Sequence, residues 1–248
     1  MGPLFADIGN TRVKIAKVID GSVTPVFSGS QTLLDKEICS RVRLLSNVGM
    51  SEAQQKSLFG SCPSVHDKMS DMPITLAYKT PKNLGQDRVA AMIGAWVSLQ
   101  KTGKKGALAV LDVGSCVTID VLNSEGHHLG GNIDIGLQWR LKATHAYAEN
   151  LPLLDFDSSR YSPNLFLASN TMDAMGFGIV SGFLRQQLDS VRFCTQRYDV
   201  QYIYITGGLA PWIYSFLSKE DWVKNKRQEI FVDEDLVIRG LNDIFAHE

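Results

Sequence analysis

Apolar positions along the chain fall into two kinds of run. Short continuous runs bounded by turn residues predict buried strands, and runs with a period near 3.6 predict helices. The first run, Leu4-Phe5-Ala6, leads into Asp7-Ile8-Gly9-Asn10-Thr11; a second strand-like run over 13–19 ends at Asp20-Gly21-Ser22. The pattern returns near the middle. Ala109-Val110-Leu111 leads into Asp112-Val113-Gly114-Ser115-Cys116, and a run over 117–122 ends at Ser124-Glu125-Gly126. The same spacing separates Asp7 from Asp112, Gly9 from Gly114 and Gly21 from Gly126. Three landmarks in register predict a duplicated β-hairpin opening two related halves. The Gly/Lys-rich stretch 103–106 fits a linker and divides the chain into 1–105 and 106–248.

Between the strands the period lengthens. Residues 86–100 place Val89, Met92, Trp96 and Leu99 on one helical face, with Gly103 as the stop. Asn83 followed by Gln86 resembles a capping box. Residues 170–189 repeat the pattern with Met172, Met175, Ile179, Phe183 and Leu188. A buried strand is predicted over 201–206, running into Gly207-Gly208, then a short strand over 230–232 and a closing helix over 236–245. Alternating strands and helices define an α/β protein.

Composition narrows the function. Apolar residues make up 44% and charged residues 21%, so the chain buries a normal core. A net charge of −1 without a basic block gives no nucleic-acid footprint. No run approaches the ~20 apolar residues of a membrane helix. Cys39, Cys62, Cys116 and Cys194 form no C-x-x-C pair and fit free thiols in a reducing compartment. With no charged, apolar leader at the start, the expected location is the cytoplasm.

The two Asp-x-Gly loops carry the candidate chemistry. A turn between strands can aim backbone N–H groups at a phosphate, and Gly9 allows close approach. Asn10 and Thr11 add donors, and Lys14 adds positive charge. Asp7 repels phosphate directly but can hold the Mg²⁺ that bridges ATP phosphates. A plain hairpin turn accounts for the same residues equally well. In the second loop Asp112 offers another carboxylate for a cation, Ser115 a hydroxyl, and Cys116 reads as a small buried residue. Thr118 reads as an outward strand residue. Two such loops facing each other would hold a nucleotide in a cleft between the halves. Gly207 and Gly208 would let adenine or ribose lie against backbone, or would simply end a strand.

At Gly85-Gln86-Asp87-Arg88 a helix begins. A carboxylate there is favoured by the macrodipole alone, by ~0.3–1 kcal/mol. The same Asp87 could accept a hydroxyl proton while the planar fork of Arg88 holds an anionic substrate group. Spacing does not choose between these readings. Phosphate-loop, dinucleotide, zinc-protease and nucleophile-elbow motifs are absent. His127-His128 abuts a turn and reads as a solvated pair.

Taken in order, Asp7 to Thr11, Gly85 to Arg88, Asp112 to Ser115, Gly130-Gly131-Asn132-Ile133, Asn170-Thr171, Thr206-Gly207-Gly208 and Leu236 to Leu241 resemble the type III pantothenate kinases across nearly the whole chain. The resemblance implies an actin-like ATPase fold of two ribonuclease-H-like domains, shared with sugar kinases, with ATP in the interdomain cleft. It implies ATP-dependent phosphorylation of pantothenate, the first step of coenzyme A biosynthesis. Asp7 to Lys14 would form the ATP-phosphate loop, and Asp87 would be the proton acceptor. Tyr78, Gly85, Gln86 and Arg88 would contact pantothenate. Asp112 would bind a monovalent cation, K⁺ or NH₄⁺, and Ser115 would contact ATP. Thr171 would reach substrate across a homodimer interface, near a helix whose Gly176, Gly178 and Gly182 permit close packing. Two positions depart from the family pattern: Ile135 stands where a Pro precedes Gly136, and Ser115-Cys116 where Thr-Ala is usual. Another acceptor within the superfamily, or a homologue that binds without turnover, are the alternatives.

Overall fold

A computed structural model describes residues 2–225 and 228–247. In chain order it contains β1 (Leu4–Ile8), β2 (Val13–Ile19), β3 (Ser22–Gly29), α1 (Lys36–Cys39), β4 (Val42–Asn47), α2 (Glu52–Phe59), β5 (Thr75–Leu76) and α3 (Gln86–Lys101). There follow β6 (Ala107–Val113), β7 (Cys116–Leu122), β8 (His127–Ile135), α4 (Leu137–Tyr147), α5 (Thr171–Gly176) and α6 (Gly182–Tyr198). The chain closes with β9 (Val200–Thr206), α7 (Ala210–Leu217), α8 (Asp221–Asn225), β10 (Glu229–Val232) and α9 (Leu236–Ala246).

The strands form two sheets, ordered β3-β2-β1-β4 and β10-β9-β6-β7-β8-β5. In the first, β1 pairs antiparallel with β2, β2 antiparallel with β3, and β1 parallel with β4. The run β3-β2-β1-β4 has the same order as β8-β7-β6-β9, so the echoed segments occupy matching places in their sheets. The echo is not residue-perfect. Residues 9–12 separate β1 from β2, whereas only Gly114 and Ser115 separate β6 from β7. The turn after β2 forms where the sequence places it, with Asp20 at φ 48° and Gly21 at φ 75°.

Two compact units emerge. One comprises residues up to Val110, Asp120–Gly130 and Asp235 onward; the other comprises Leu111–Ile119 and Gly131–Glu234. The units are discontinuous in sequence because β6, β7 and β8 each contribute residues to both. A division into halves at 105/106 is a statement about duplication, distinct from these packing units.

In the first unit β1 is covered on both faces. Leu4, Ala6 and Ile8 join Val13, Ile15, Val42, Leu45 and Phe59 in one core, while Phe5 points the other way and meets Phe245 of α9 edge-on at 5.8 Å. Strand alternation puts Asp7 on the Phe5 side. Helix α3 is buried on more than its expected face: Ala90, Ala91, Ile93 and Ala95 are sealed along with Val89, Met92 and Leu99. It crosses α9 backbone against backbone. A Cβ on Gly240 would lie 1.8 Å from Ala90 O, and one on Gly94 would lie 2.6 Å from Leu236 O. Helix α3 ends at Thr102, with Gly103 at φ 73° as predicted from sequence. The expected capping box does not form. Asn83 ends a separate 3-10 turn, Gly85 is the N-cap without a side-chain bond, and the Gln86 side chain is used by β4 instead.

In the second unit α6 packs on β9, with Phe183, Leu184, Val191, Ile203, Ile205, Ile213 and Leu217 buried. The single helix expected over 170–189 is interrupted by π-helical Phe177–Ser181 between α5 and α6. Of its three glycines only Gly176 is tightly packed within the chain, where a Cβ would sit 2.4 Å from the Tyr161 ring; Gly178 faces open space. Cys116 is exposed and Thr118 is buried, the reverse of the sequence expectation for each.

The helix crossing generates a stability prediction. Gly240→Ala forces α9 off α3 and should destabilise the fold by about 2 kcal/mol or more in urea unfolding, as overpacked cores do. Gly178→Ala, with nothing near the added methyl, should change stability by less than ~1 kcal/mol.

Candidate active site

The sheet register builds the surroundings of Asp7. On β1 it lies opposite Lys14 of β2 and beside Ser46 of β4. Its Oδ1 is buried and has no hydrogen-bond partner, and the same holds for Ser46 Oγ. Burial first, and then the negative charge of Asp87, push the Asp7 pKa up to about 7, against the opposing pull of the Ser46 hydroxyl and the Lys14 ammonium. Lys14 is itself ion-paired to Asp235, the residue that begins α9. Gly9 closes the loop by donating its N–H to Arg12 O at 3.0 Å, leaving Asn10 and Thr11 exposed at the tip.

Helix α3 brings the second carboxylate. Its start is tied to the end of β4 by Asn47 N–H donating to Gln86 Oε1 at 3.3 Å. Asp87 folds back and accepts from the Arg88 N–H at 2.8 Å. A side chain at position 85 would collide there, since a Gly85 Cβ would lie 2.5 Å from Asp87 Oδ1. Burial raises the Asp87 pKa, and the Arg88 amide and guanidinium only partly oppose it. Asp7 and Asp87 are thus two desolvated carboxylates in electrostatic contact, one with an orphaned oxygen. A divalent cation relieves both conditions, so the residues fit a Mg²⁺ ion. Among the described residues no group of three or more His, Cys, Asp or Glu could hold a metal alone. Mg²⁺ would therefore take most of its ligands from phosphate and water, as it commonly does.

Arg88 does not simply point outward. Its Nε and one terminal nitrogen donate to Asp120 Oδ2 and Oδ1 at 2.8 and 2.7 Å. Asp120 also accepts from His128 Nε2 at 2.9 Å. His128 is fully buried, contrary to the solvated pair read from sequence; His127 alone is exposed. Parallel pairing of β5 with β8 sets Leu76 beside His128, and two residues later Tyr78 stacks on that imidazole at 6.3 Å. Arg88 and Tyr78 thus meet on an Asp120–His128 dyad that sequence reasoning missed, while Gln86 turns to Asn47 and Gly85 lies against Asp87. The available signal was a charged residue, Asp120, inside the apolar run 117–122.

In the other unit the glycine turn after β9 closes on the loop after β6. A Cβ on Gly207, whose φ is 85°, would lie 2.5 Å from Asp112 Oδ1 and 2.7 Å from the Val113 carbonyl carbon. Leu209 N–H donates to Val113 O, and Gly136 N–H to Ser115 O. Asp112, Ser115, Gly207 and Gly208 are therefore neighbours, with Gly208 exposed. A carboxylate against backbone carbonyls is oxygen chemistry suited to a hard monovalent cation. Thr171 lies elsewhere in this unit, exposed at the first position of α5, where Asn170 caps the helix through the Asp173 N–H.

Two sheets of matching strand order give the chain the fold of the actin-like ATPase and sugar kinase class. Solved structures share the fold. A glucokinase from Balamuthia mandrillaris superposes with a TM-score of 0.53 at 10% identity over 98% of this chain and 92% of that one. A proposed Baf family transcriptional activator from Campylobacter jejuni gives 0.59 at 20% identity over 98% and 97%. The profile of the family described as type III pantothenate kinase matches residues 23–191. Curated type III pantothenate kinases from Phocaeicola vulgatus and Bacteroides fragilis are 30% and 31% identical, over 98% of this chain and 98% and 97% of theirs. The chain belongs to the type III pantothenate kinase family.

The raised pKa of Asp7 has a thermodynamic consequence. The folded protein holds this proton more tightly than the unfolded chain, so stability falls as pH rises from about 4 to about 7 and the penalty is complete above that range. Asp7→Asn should remove this pH dependence and stabilise the protein at pH 8 by on the order of 2 kcal/mol, read from urea unfolding at pH 5 and pH 8. Equal stability of variant and parent at pH 8 would show that Asp7 is not desolvated.

Proposed function

We propose that this chain transfers the γ-phosphoryl group of ATP to the primary hydroxyl of pantothenate, giving 4'-phosphopantothenate and ADP. The observation that carries the reading is the pair Asp7 and Asp87, two half-buried carboxylates of the first unit whose pKa values burial raises, with the charge of Asp87 felt at Asp7. Pantothenate is a carboxylate bearing a primary alcohol, and Arg88 with Tyr78 suits its anionic and apolar parts. The hydroxyl oxygen attacks the γ-phosphorus as the bond to the leaving ADP oxygen breaks, and the hydroxyl proton passes to the Asp87 carboxylate. A raised pKa makes Asp87 a better acceptor for that proton than a free carboxylate. Gly9, Asn10 and Thr11 offer N–H and side-chain donors to phosphate oxygens, and Lys14 adds charge. When bound, Mg²⁺ neutralises developing charge on the phosphates, with Asp7 as its protein ligand.

In the second unit Ser115, Gly207 and Gly208 are the proposed ATP contacts, and Asp112 the proposed ligand for K⁺ or NH₄⁺. We read the protein as a homodimer with Thr171 contacting substrate at the interface. In support, Ile133, Tyr147, Phe166 and Leu167 of this unit are exposed apolar side chains. No helix of the described residues is long and apolar enough to cross a membrane, and a cytoplasmic setting matches the substrates.

ADP release from purified protein with ATP, Mg²⁺ and pantothenate is expected to require pantothenate and to fall when potassium is replaced by sodium. ATP binding without release would point instead to a different acceptor or to a binding homologue. Asp87→Asn should lower kcat by ~10²–10⁴-fold with ATP affinity unchanged, as loss of a general base does; near-normal turnover would remove Asp87 from that role.

A further inference from the structure

Asp120 takes no part in the proposed proton or phosphate chemistry, yet three donors converge on it. It is 2% exposed and accepts from two nitrogens of Arg88 and from His128. A buried carboxylate is retained only when charge and hydrogen bonds are both satisfied, and Arg88 supplies both in bidentate form. Because Asp120 accepts, Nε2 carries the proton, and the buried Nδ1 is left without a partner. An imidazole held by one edge in this way has a fixed plane, and Tyr78 rests on that plane at an interplanar angle of 20°.

We propose that Asp120 is a positioning residue for the acceptor. Its oxygens fix the Arg88 guanidinium directly and, through His128, the surface that carries Tyr78. Both acceptor-contacting side chains are thereby oriented before substrate arrives, and the carboxyl end of the acceptor meets a fork that needs no reorganisation. The inference rests on Arg88 and Tyr78 being pantothenate contacts. At 2% exposure, Asp120 acts in this role through Arg88 and His128.

The test separates the two arms of the network. His128→Phe keeps a ring beneath Tyr78 and removes the donor to Asp120. His128→Gln keeps a donor near the Nε2 position and removes the ring. Asp120→Asn leaves Arg88 without its counter-charge. Each variant is first checked for folding by its circular dichroism melt, and KM is then measured separately for pantothenate and for ATP. Each His128 variant is expected to raise the pantothenate KM about tenfold, one hydrogen bond's worth, with the ATP KM unchanged. Asp120→Asn should raise it further; if that variant does not fold, the His128 pair decides. Folded variants whose pantothenate KM is unchanged, or rises in parallel with the ATP KM, overturn the positioning role and leave the proposed activity intact. Failure of the parent protein to use pantothenate is a separate result, visible before any variant is made, and it removes the proposed activity and this role together.

Discussion

The close crossing of α3 and α9 is the constraint on which the first unit depends. Glycines at 94 and 240 let the two backbones meet where any side chain would collide. Each helix start then delivers a charged residue to the same strand pair. Helix α3 begins with Asp87, whose charge reaches Asp7 on β1. Helix α9 follows Asp235, which pairs with Lys14 on β2, directly opposite Asp7. A shift of either helix by a fraction of an ångström would change the separation of charges that the site needs. Helix propensity does not explain glycine in the middle of either helix, since it costs ~1 kcal/mol there relative to alanine. Close approach does.

Two kinds of buried carboxylate lie in this unit, and the contrast assigns their work. Asp120 is fully compensated by Arg88 and His128 and serves as a fixed point. Asp7 is under-compensated: Oδ1 has no partner, Lys14 is shared with Asp235, and Asp87 adds repulsion. Natural folds satisfy buried polar groups almost without exception, so an orphaned carboxylate oxygen marks a place where something is meant to bind. Arg88 is committed to Asp120 by two hydrogen bonds, while Asp7 and Asp87 both keep raised pKa values.

Much of this was legible in the sequence because the informative residues break a pattern locally. Asp-x-Gly after an apolar run predicts a loop with donors, and the repeat at matched spacing anticipated the repeated strand order. Asp120 and His128 were missed for the opposite reason. Their partners come from α3 and from the pairing of β5 with β8, long-range events that no local period encodes. The expected capping box failed because Gln86 found a better acceptor role at Asn47, a tertiary contact overriding a local signal. The π-helical Phe177–Ser181 left no mark in a periodicity that tolerates one extra residue.

The departure at Ile135 shows how a lost local restraint can be replaced by a distributed one. A proline before Gly136 would fix φ and remove an N–H. Here the Ile135 N–H is kept and donates to Asp134 Oδ1 at 2.7 Å, while the Ile135 carbonyl accepts from Arg140 Nε at 3.1 Å. Asp134 Oδ2 in turn accepts from Arg140 and from Gln186, each at 2.7 Å, and these bonds hold its pKa below the usual carboxylate range. Arg140 also lies over the Phe183 ring at 5.0 Å. The strand end is therefore pinned by α4 and α6 rather than by a ring closure. Gly136 must still seat closely, because a Cβ there would lie 2.3 Å from Gly114 O and 2.5 Å from Ser115 O. The second loop thus keeps its support, and Ile135 gives no structural reason to read the chain as a degenerate homologue.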